Sequence, residues 1–223
     1  MEARQRLNKS IESFIINKRS DYVYSIGDLN FLRKYDKCED AGLNENVVFK
    51  KVWELASNME EEVKPENRFN GDVLITHGGS GKAITSAPDG ASFHVMNHDY
   101  FCHEITKSLT SGRQKENFLR YDFGSIAEYL VITHPPAKCR FAELDYDETL
   151  AQLGRSDARA YYGVRSFSFV RKGGYLMVIV PREEFRQTHE KIVELLFHIE
   201  GATFDFEVPE ITGEDYILKY KRI

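Results

Sequence analysis

The spacing of hydrophobic residues changes along the chain, and the change divides the sequence into two parts. In the N-terminal part the spacing is helical, over residues 2–19 and again over residues 44–63. The second stretch has apolar residues on one helical face: Val48, Val52, Leu55 and Met59. The two stretches together predict a helical N-terminal extension.

From residue 72 onward, short apolar runs typical of strands alternate with longer amphipathic stretches typical of helices. Helices are predicted directly after the second strand, over residues 149–170 and over residues 182–199. Strands are predicted over residues 72–77, 92–97, 117–122, 128–133, 173–181, 202–209 and 215–223. This alternation indicates an α/β fold with a mostly parallel sheet, in which ligands bind beyond the carboxyl ends of the strands.

A polar segment containing proline and glycine, "KPENRFNG" at residues 64–71, separates the two parts. We therefore predict two units, residues 1–66 as the helical extension and residues 67–223 as the α/β domain. An alternative for the start of the second unit is an antiparallel meander, with "GGSG" (78–81) as a hairpin turn. The meander is considered because only about ten residues follow the glycines before the next strand, which is short for a parallel crossover.

Composition narrows the class of protein. Residues are 42% hydrophobic and 29% charged, and the net charge of -5 gives no overall basic field for nucleic acid. The run "YLMVIV" (175–180) is too short to span a bilayer, and the N-terminus lacks the apolar core of a secretion signal. The three cysteines, Cys38, Cys102 and Cys139, form no metal-type pair. We expect a cytoplasmic protein with reduced thiols and no membrane association.

The fourth predicted strand, "EYLVIT" (128–133), ends at an unusual sequence. His134 follows it, and then come two adjacent prolines, Pro135 and Pro136. Neither proline has a backbone N–H to donate, so the strand cannot continue through them. The sequence therefore predicts a stiff loop at the edge of the sheet where ligands bind.

The glycine loop "GGSG" follows the first predicted strand and resembles two known motifs incompletely. A phosphate-binding loop requires Ser or Thr after the lysine, and here Ala83 follows Lys82. The nucleophile elbow of hydrolases has the pattern Gly-x-Ser-x-Gly, which residues 78–81 do not match. Neither nucleotide hydrolysis nor serine hydrolase chemistry is therefore supported.

Taken in order, the motifs of residues 69–223 resemble the class I S-adenosylmethionine (SAM)-dependent methyltransferases, in particular the N6-adenine DNA methyltransferases. The resemblance rests on "ITHGGSG" (75–81), "THPPA" (133–137) and "VRKGGYLMVIVP" (170–181). It implies a Rossmann-like methyltransferase fold, with a seven-stranded, mostly parallel sheet and an antiparallel last strand. It also implies SAM as a cofactor.

The same resemblance assigns roles to individual residues. The cofactor-binding positions are Gly79, Ser80 and Gly81 in the glycine loop and Asp122 at the end of the third predicted strand. The catalytic positions are His134, Pro135 and Pro136, because in the family this loop grips a base flipped out of the duplex.

Several residues depart from the family pattern. His134 stands where the family has Asn or Asp, and Ala137 stands where it has an aromatic ring that stacks on the base. On the cofactor side, Ile75 replaces an acidic residue, and Met96 or Asn97 lies where a carboxylate is usual. These changes predict impaired catalysis, with the fold acting as a binding module for nucleic acid or a protein partner. The alternative is an active methyltransferase with altered motifs, acting on DNA or on another substrate.

Three histidines, His77, His98 and His134, each lie near the end of a predicted strand. Imidazole is a common metal ligand, so a metal or anion site at this edge is one interpretation. No His-x-x-x-His or cysteine pair accompanies them, and separate histidines at the surface explain the pattern more simply. We therefore predict no metal site.

Two features bear on partners. Arg155 and Arg159 have helical spacing and could contact a phosphate backbone, although a solvated helix face is the more usual explanation for such a pair. The apolar faces of the N-terminal helices could dock a protein partner. Trp53, in the second helix, is expected to be a core or interface aromatic residue.

Overall fold

The computed structural model of the chain describes residues 42–60, 70–76, 83, 86–87, 92–97, 114–116, 128–135, 158–198 and 203–223. The helix predicted over residues 2–19 and the strand predicted over residues 117–122 lie outside these described residues.

The described residues form three helices and seven strands. The helices are α1 (Gly42–Glu60), α2 (Ala158–Phe167) and α3 (Phe185–His198). The strands are β1 (Asn70–Ile75), β2 (Ser92–Asn97), β3 (Gln114–Glu116), β4 (Glu128–Thr133), β5 (Val170–Pro181), β6 (Phe204–Thr212) and β7 (Asp215–Arg222).

The strands form one sheet in the order β3-β2-β1-β4-β5-β7-β6. Pairs among β1 to β5 are parallel, whereas β7 runs antiparallel to both β5 and β6. This confirms the predicted Rossmann-like fold with a seven-stranded, mostly parallel sheet and an antiparallel last strand. The meander alternative is wrong, because β1 pairs directly with β2 in parallel.

Strand β5 begins three residues earlier than predicted, because Gly173 does not mark its start. Between Glu128 and Leu130, β4 advances two residues while β5 advances five, from Val170 to Tyr175. Gly173 has a φ of 78°, a left-handed conformation that glycine adopts without steric cost. The glycine therefore lies in a bulge inside the strand. The preceding helix correspondingly ends at Phe167 and not near residue 170.

The central strands β1, β4 and β5 are buried on both faces, because their successive residues alternate between two cores. On one face, Leu74, Val131 and Val178 pack with α2 and α3. On the other face, Ile75 and Ile132 pack with α1. Strand β5 is buried on both faces from Tyr175 to Val180, which explains why its sequence is a continuous apolar run.

Helix α1 packs on the sheet through the face that its spacing predicted. Four of its residues, Val48, Val52, Leu55 and Met59, are buried in the same core as strands β1, β4 and β5. The division at residue 66 stays a prediction, but α1 shares a hydrophobic core with the α/β unit that follows it. The apolar face of α1 is thus occupied within the chain.

The close approach of α2 and α3 depends on a glycine. A Cβ atom built on Gly163 would lie 2.6 Å from Cδ1 of Ile192 on α3. Because Gly163 has no side chain, Ile192 fills that space and is itself fully buried.

A cluster of aromatic side chains joins α3 to β6 and β7. His189 lies with its ring centroid 4.0 Å from that of Phe206, and its Nδ1 is 2.9 Å from the hydroxyl oxygen of Tyr220. Phe185 stacks on both His189 and Tyr216. Burial lowers the pKa of His189 below its ordinary value of 6.5, and the negative charge of Glu190 offsets only part of that effect.

This pKa predicts a loss of stability in mild acid. The unfolded chain protonates residue 189 at its ordinary pKa of 6.5, whereas the folded chain resists protonation. The free energy of unfolding should therefore be unaffected by His189 above pH 6.5 and should fall as the pH drops below that value. Urea unfolding between pH 5 and 8 measures the effect.

The control for this prediction is His189→Gln, which keeps a hydrogen-bonding group near Tyr220 but does not titrate. Its unfolding free energy should depend less on pH than that of the wild type between pH 5 and 7. Equal slopes for the two proteins would show that His189 does not contribute.

Candidate functional site

The candidate site lies where the strand order reverses. Strands β2 and β3 extend the sheet on one side of β1, while β4 and the later strands extend it on the other. The backbone N–H of Thr76, just after β1, donates to the carbonyl of Ile132 in β4, with 3.0 Å between N and O. The carboxyl ends of β1 and β4 therefore lie side by side at the switch point of the sheet, and a crevice at this position is where open α/β sheets bind ligands.

His134 and Pro135 are at the position that the sequence predicted, directly after the last residue of β4. Leu130 and Ile132 face the core that contains α1, and the alternation of the strand brings His134 to the same side. The His134 ring contacts Phe49 of α1 edge to face, with 5.9 Å between ring centroids. His134 is half-buried and Pro135 is buried.

Thr133, the last residue of β4, points to the other face, and its hydroxyl is unusual. The residue is 0% exposed, and within the described part of the chain its Oγ1 has no hydrogen-bond partner. The neighbouring hydroxyl of Thr76 is buried too, but it lies 3.0 Å from the hydroxyl oxygen of Ser166 on α2. A buried polar atom without a partner is rare in folded proteins and marks a position that requires explanation.

The other side of the crevice is attached to α1 by a hydrogen bond. The indole N–H of Trp53 donates to the backbone carbonyl of Ala83, with 2.8 Å between the atoms. Ala83 follows the glycine loop of residues 78–81 by two positions. Helix α1 therefore contacts both the far end of the glycine loop and the tip of β4.

The structure describes only part of the predicted site. His134 and Pro135 directly follow the carboxyl end of β4, next to the end of β1, and their roles stay predictions too. The remaining predicted positions, namely Gly79, Ser80, Gly81, Asp122 and Pro136, lie outside the described residues, so their roles stay predictions. The described residues on either side of the glycine loop, Thr76 and Ala83, are both buried.

Sequence reasoning missed the contacts that α1 makes. Trp53 was expected in a core or an interface, and its burial at 3% exposure confirms a core position. Its hydrogen bond to Ala83 and the contact of Phe49 with His134 join segments distant in sequence. One sequence feature could have indicated these contacts. Phe49 and Trp53 are four positions apart, which places both side chains on one face of the helix.

The structure also bears on metal binding and on the arginine pair. The residues that the structure describes contain no group of three or more His, Cys, Asp or Glu side chains that could hold a metal ion. His77 and His98 lie outside the described residues. Arg159 is buried at 9% exposure, with its Nε 3.1 Å from Oε2 of Glu184, so the expectation of a solvated face is wrong for this residue.

Within the described ranges, no helix combines the length and the apolar character needed to cross a membrane.

Of the comparisons with known proteins, the one with solved structures bears on the fold. No family model matches the sequence. No curated protein matches it either. Among solved structures, magnesium protoporphyrin IX methyltransferase from Synechocystis PCC 6803, with bound SAM, aligns with a TM-score of 0.53 at 10% identity over 100% of this chain and 98% of that one.

Two further structures are similar to the same degree. A protein of Listeria monocytogenes assigned to the class I SAM-dependent methyltransferases aligns with a TM-score of 0.52 at 14% identity, over 99% of this chain and 88% of that one. The plantazolicin methyltransferase BpumL, in complex with SAH, gives a TM-score of 0.52 at 9% identity over 98% and 96% of the two chains. At these identities the likeness establishes the fold alone: the chain has the fold of the class I SAM-dependent methyltransferases.

Proposed function

We propose that this protein binds SAM in the crevice between β1 and β4 but does not methylate adenine in DNA at a useful rate, and that it acts as a binding module. The observation that carries the proposal is the position of His134. It follows β4 directly, where the N6-adenine methyltransferases have Asn or Asp, and its ring is packed against Phe49.

Cofactor binding is supported by the fold and by the described edges of the site. The crevice lies at the switch point of a parallel sheet, which is where such sheets bind nucleosides. The glycine loop and Asp122 would hold the cofactor, because backbone N–H groups and a carboxylate suit its charged and hydroxyl groups. The Trp53 hydrogen bond to Ala83 fits this role, since it fixes the chain just beyond the loop. When bound, SAM supplies an activated methyl group on a sulfonium.

Impaired catalysis follows from the chemistry of His134. As an adenine amino group is methylated it becomes positively charged, so the site needs hydrogen-bond acceptors that are already in place. A neutral imidazole offers one acceptor nitrogen and a protonated one offers none. The contact with Phe49 also restricts the orientations that the imidazole can adopt.

A second candidate function is methyl transfer to a substrate other than DNA adenine. The similar solved structures favour it, because two of them are methyltransferases named for magnesium protoporphyrin IX and for plantazolicin and not for DNA.

The nature of the partner is constrained by what the described residues already bind. Arg159 contacts Glu184, which makes it a poor ligand for a phosphate backbone. The apolar face of α1 is buried on the sheet. Val47 does not belong to that buried cluster and is 55% exposed. A protein partner docked through the N-terminal helices would therefore use the helix predicted over residues 2–19, outside the described residues.

The first test measures binding and chemistry separately. Calorimetric titration of the purified protein with SAM should show binding, whereas transfer of labelled methyl from SAM to single- and double-stranded DNA should stay at background from pH 6 to 9. Clear turnover that disappears in His134→Ala would overturn the prediction that the protein does not methylate DNA. It would make His134 the hydrogen-bond acceptor for the adenine amino group. Absence of binding would overturn the cofactor proposal.

The second test concerns the hydroxyl of Thr133. Thr133→Val keeps the shape of the side chain and removes a polar atom that has no partner among the described residues, so the free energy of unfolding should rise by about 1 kcal/mol. The matched control is Thr76→Val, which leaves the Ser166 hydroxyl without its partner and should lower stability by about 1 to 2 kcal/mol. Destabilisation by Thr133→Val would show that its hydroxyl is already paired.

A further inference from the structure

The edge of the sheet opposite the crevice carries a group of basic side chains. The amino ends of β4 and β5 form this edge, and the carboxyl end of the antiparallel strand β7 lies beside them. Strand β5 contributes Arg171 and Lys172, and β7 contributes Lys221. We call these three residues the basic edge. They lie at the other end of the strands from His134, so they are separate from the site described above.

The bulge in β5 exposes part of the basic edge. Residues 171–174 have no partner in the ladder with β4, whose register passes from Val170 to Tyr175, and the ladder with β7 begins at Tyr175. Lys172 and Gly173 are exposed. A Cβ atom built on Gly173 would have no atom of the described residues within 4 Å. The main chain therefore protrudes here, and the Lys172 side chain is open to solvent.

The bulge is held at both of its ends. At its start, Nη1 of Arg222 donates to the backbone carbonyl of Val170, with 2.7 Å between the atoms. At its end, Tyr175 pairs with both β4 and β7. Lys172 therefore belongs to a short segment whose ends are fixed, so little main-chain freedom is lost when a ligand binds there.

Two tyrosine rings contact the other two cations of the basic edge. The guanidinium carbon of Arg171 lies 5.1 Å from the centre of the Tyr129 ring. Nζ of Lys221 lies 5.2 Å from the centre of the Tyr175 ring. The two rings contact each other edge to face, with 5.9 Å between their centroids. These cation–π contacts hold the charged groups in place on either side of the tyrosine pair.

The charge of this edge is positive although the whole chain has a net charge of -5. On the described strand ends the acidic residues are Glu128, the first of β4, and Asp205 of β6, which is opposite Lys221 in the register. Against these two stand the three residues of the basic edge and the arginine that anchors the bulge. Farther along β7, Lys219 forms an ion pair with Glu207, so this pair adds no net charge.

We propose that the basic edge binds the phosphate backbone of a nucleic-acid strand without reading its sequence. The inference rests on the part of the proposed function that makes the protein a binding module, and it names the partner and the surface. One small anion needs charges that converge on a point, whereas two tyrosine rings separate Arg171 from Lys221. Charges spread along an edge match a ligand with repeated charges, and nucleic acids are bound without sequence preference through their phosphates.

An anionic membrane is the other extended surface with repeated charges. Protein surfaces that lie on membranes combine basic side chains with apolar ones that enter the lipid. Among the described residues, only one of the exposed large apolar side chains, Ile223, adjoins the basic edge, where it follows β7. The remaining ones lie elsewhere: Val47, Phe197, Val208 and Ile211. The described residues therefore favour nucleic acid over a membrane.

The test is fluorescence anisotropy of labelled, mixed-sequence single strands of RNA and DNA. Different sequences should bind equally well, because the phosphates are common to all of them. If the three residues of the basic edge each contact a phosphate, the slope of log K against log salt concentration should be about -2. No binding to any strand at low salt overturns the inference.

The decisive variants are Lys172→Gln and Arg171→Gln, which remove one charge each. Either change should weaken binding about 5-fold near 0.1 M salt and reduce the steepness of the salt dependence by about 0.7. The matched control is Arg182→Gln, an exposed arginine that follows the opposite end of β5. Its affinity should equal that of the wild type. Unchanged affinity in both basic-edge variants, or an equal loss in the control, overturns the assignment to this edge.

Two further measurements identify other partners. Sedimentation with phosphatidylserine vesicles tests a membrane, and competition with polyglutamate tests an acidic protein. Preference for either over the nucleic-acid strands overturns the inference. Calorimetry with SAM keeps the two proposals apart. A protein that binds SAM but no strand leaves the proposed cofactor site intact, and one that binds strands through this edge but no SAM leaves the present inference intact.

Discussion

The parallel pairing of β1 with β4 is the constraint on which the candidate site depends. It sets two strand ends side by side at the point where the sheet begins to grow in opposite directions. In open α/β sheets this switch point is where ligands bind, beyond the carboxyl ends of the strands. The bond from Thr76 to Ile132 is where this pairing reaches the edge of the sheet, so both loops start from fixed main chain.

The fold was predictable because its strongest signals are local. A continuous apolar run such as residues 175–180 can satisfy both faces only in the middle of a covered sheet, and β5 is found there. The strand ahead of His134 had to end before two prolines, and it does. The start of β5 was missed because a glycine in a bulge and a glycine at a strand boundary look alike in sequence. Only the register against β4 distinguishes them for Gly173.

The site was less predictable, since its geometry comes from tertiary contacts. The position of His134 follows from strand periodicity, but its contact with Phe49 joins two segments that no local rule connects. The same holds for the Trp53 bond to Ala83 and for the pairing of Thr76 with Ser166. Among the described residues the buried hydroxyl of Thr76 has a partner and that of Thr133 has none, and this difference depends on packing that neither residue's neighbours in sequence determine.

These contacts give the ends of β1 and β4 the same kind of support. Both strands are paired on two edges, since β1 pairs with β2 and β4, and β4 pairs with β1 and β5. Helix α1 adds one contact to each side, from Phe49 to His134 after β4 and from Trp53 to Ala83 in the segment that follows β1. Because strand pairing holds the two strand ends without α1, a change that moved the helix would alter the contacts of His134 and Ala83 before it altered the sheet.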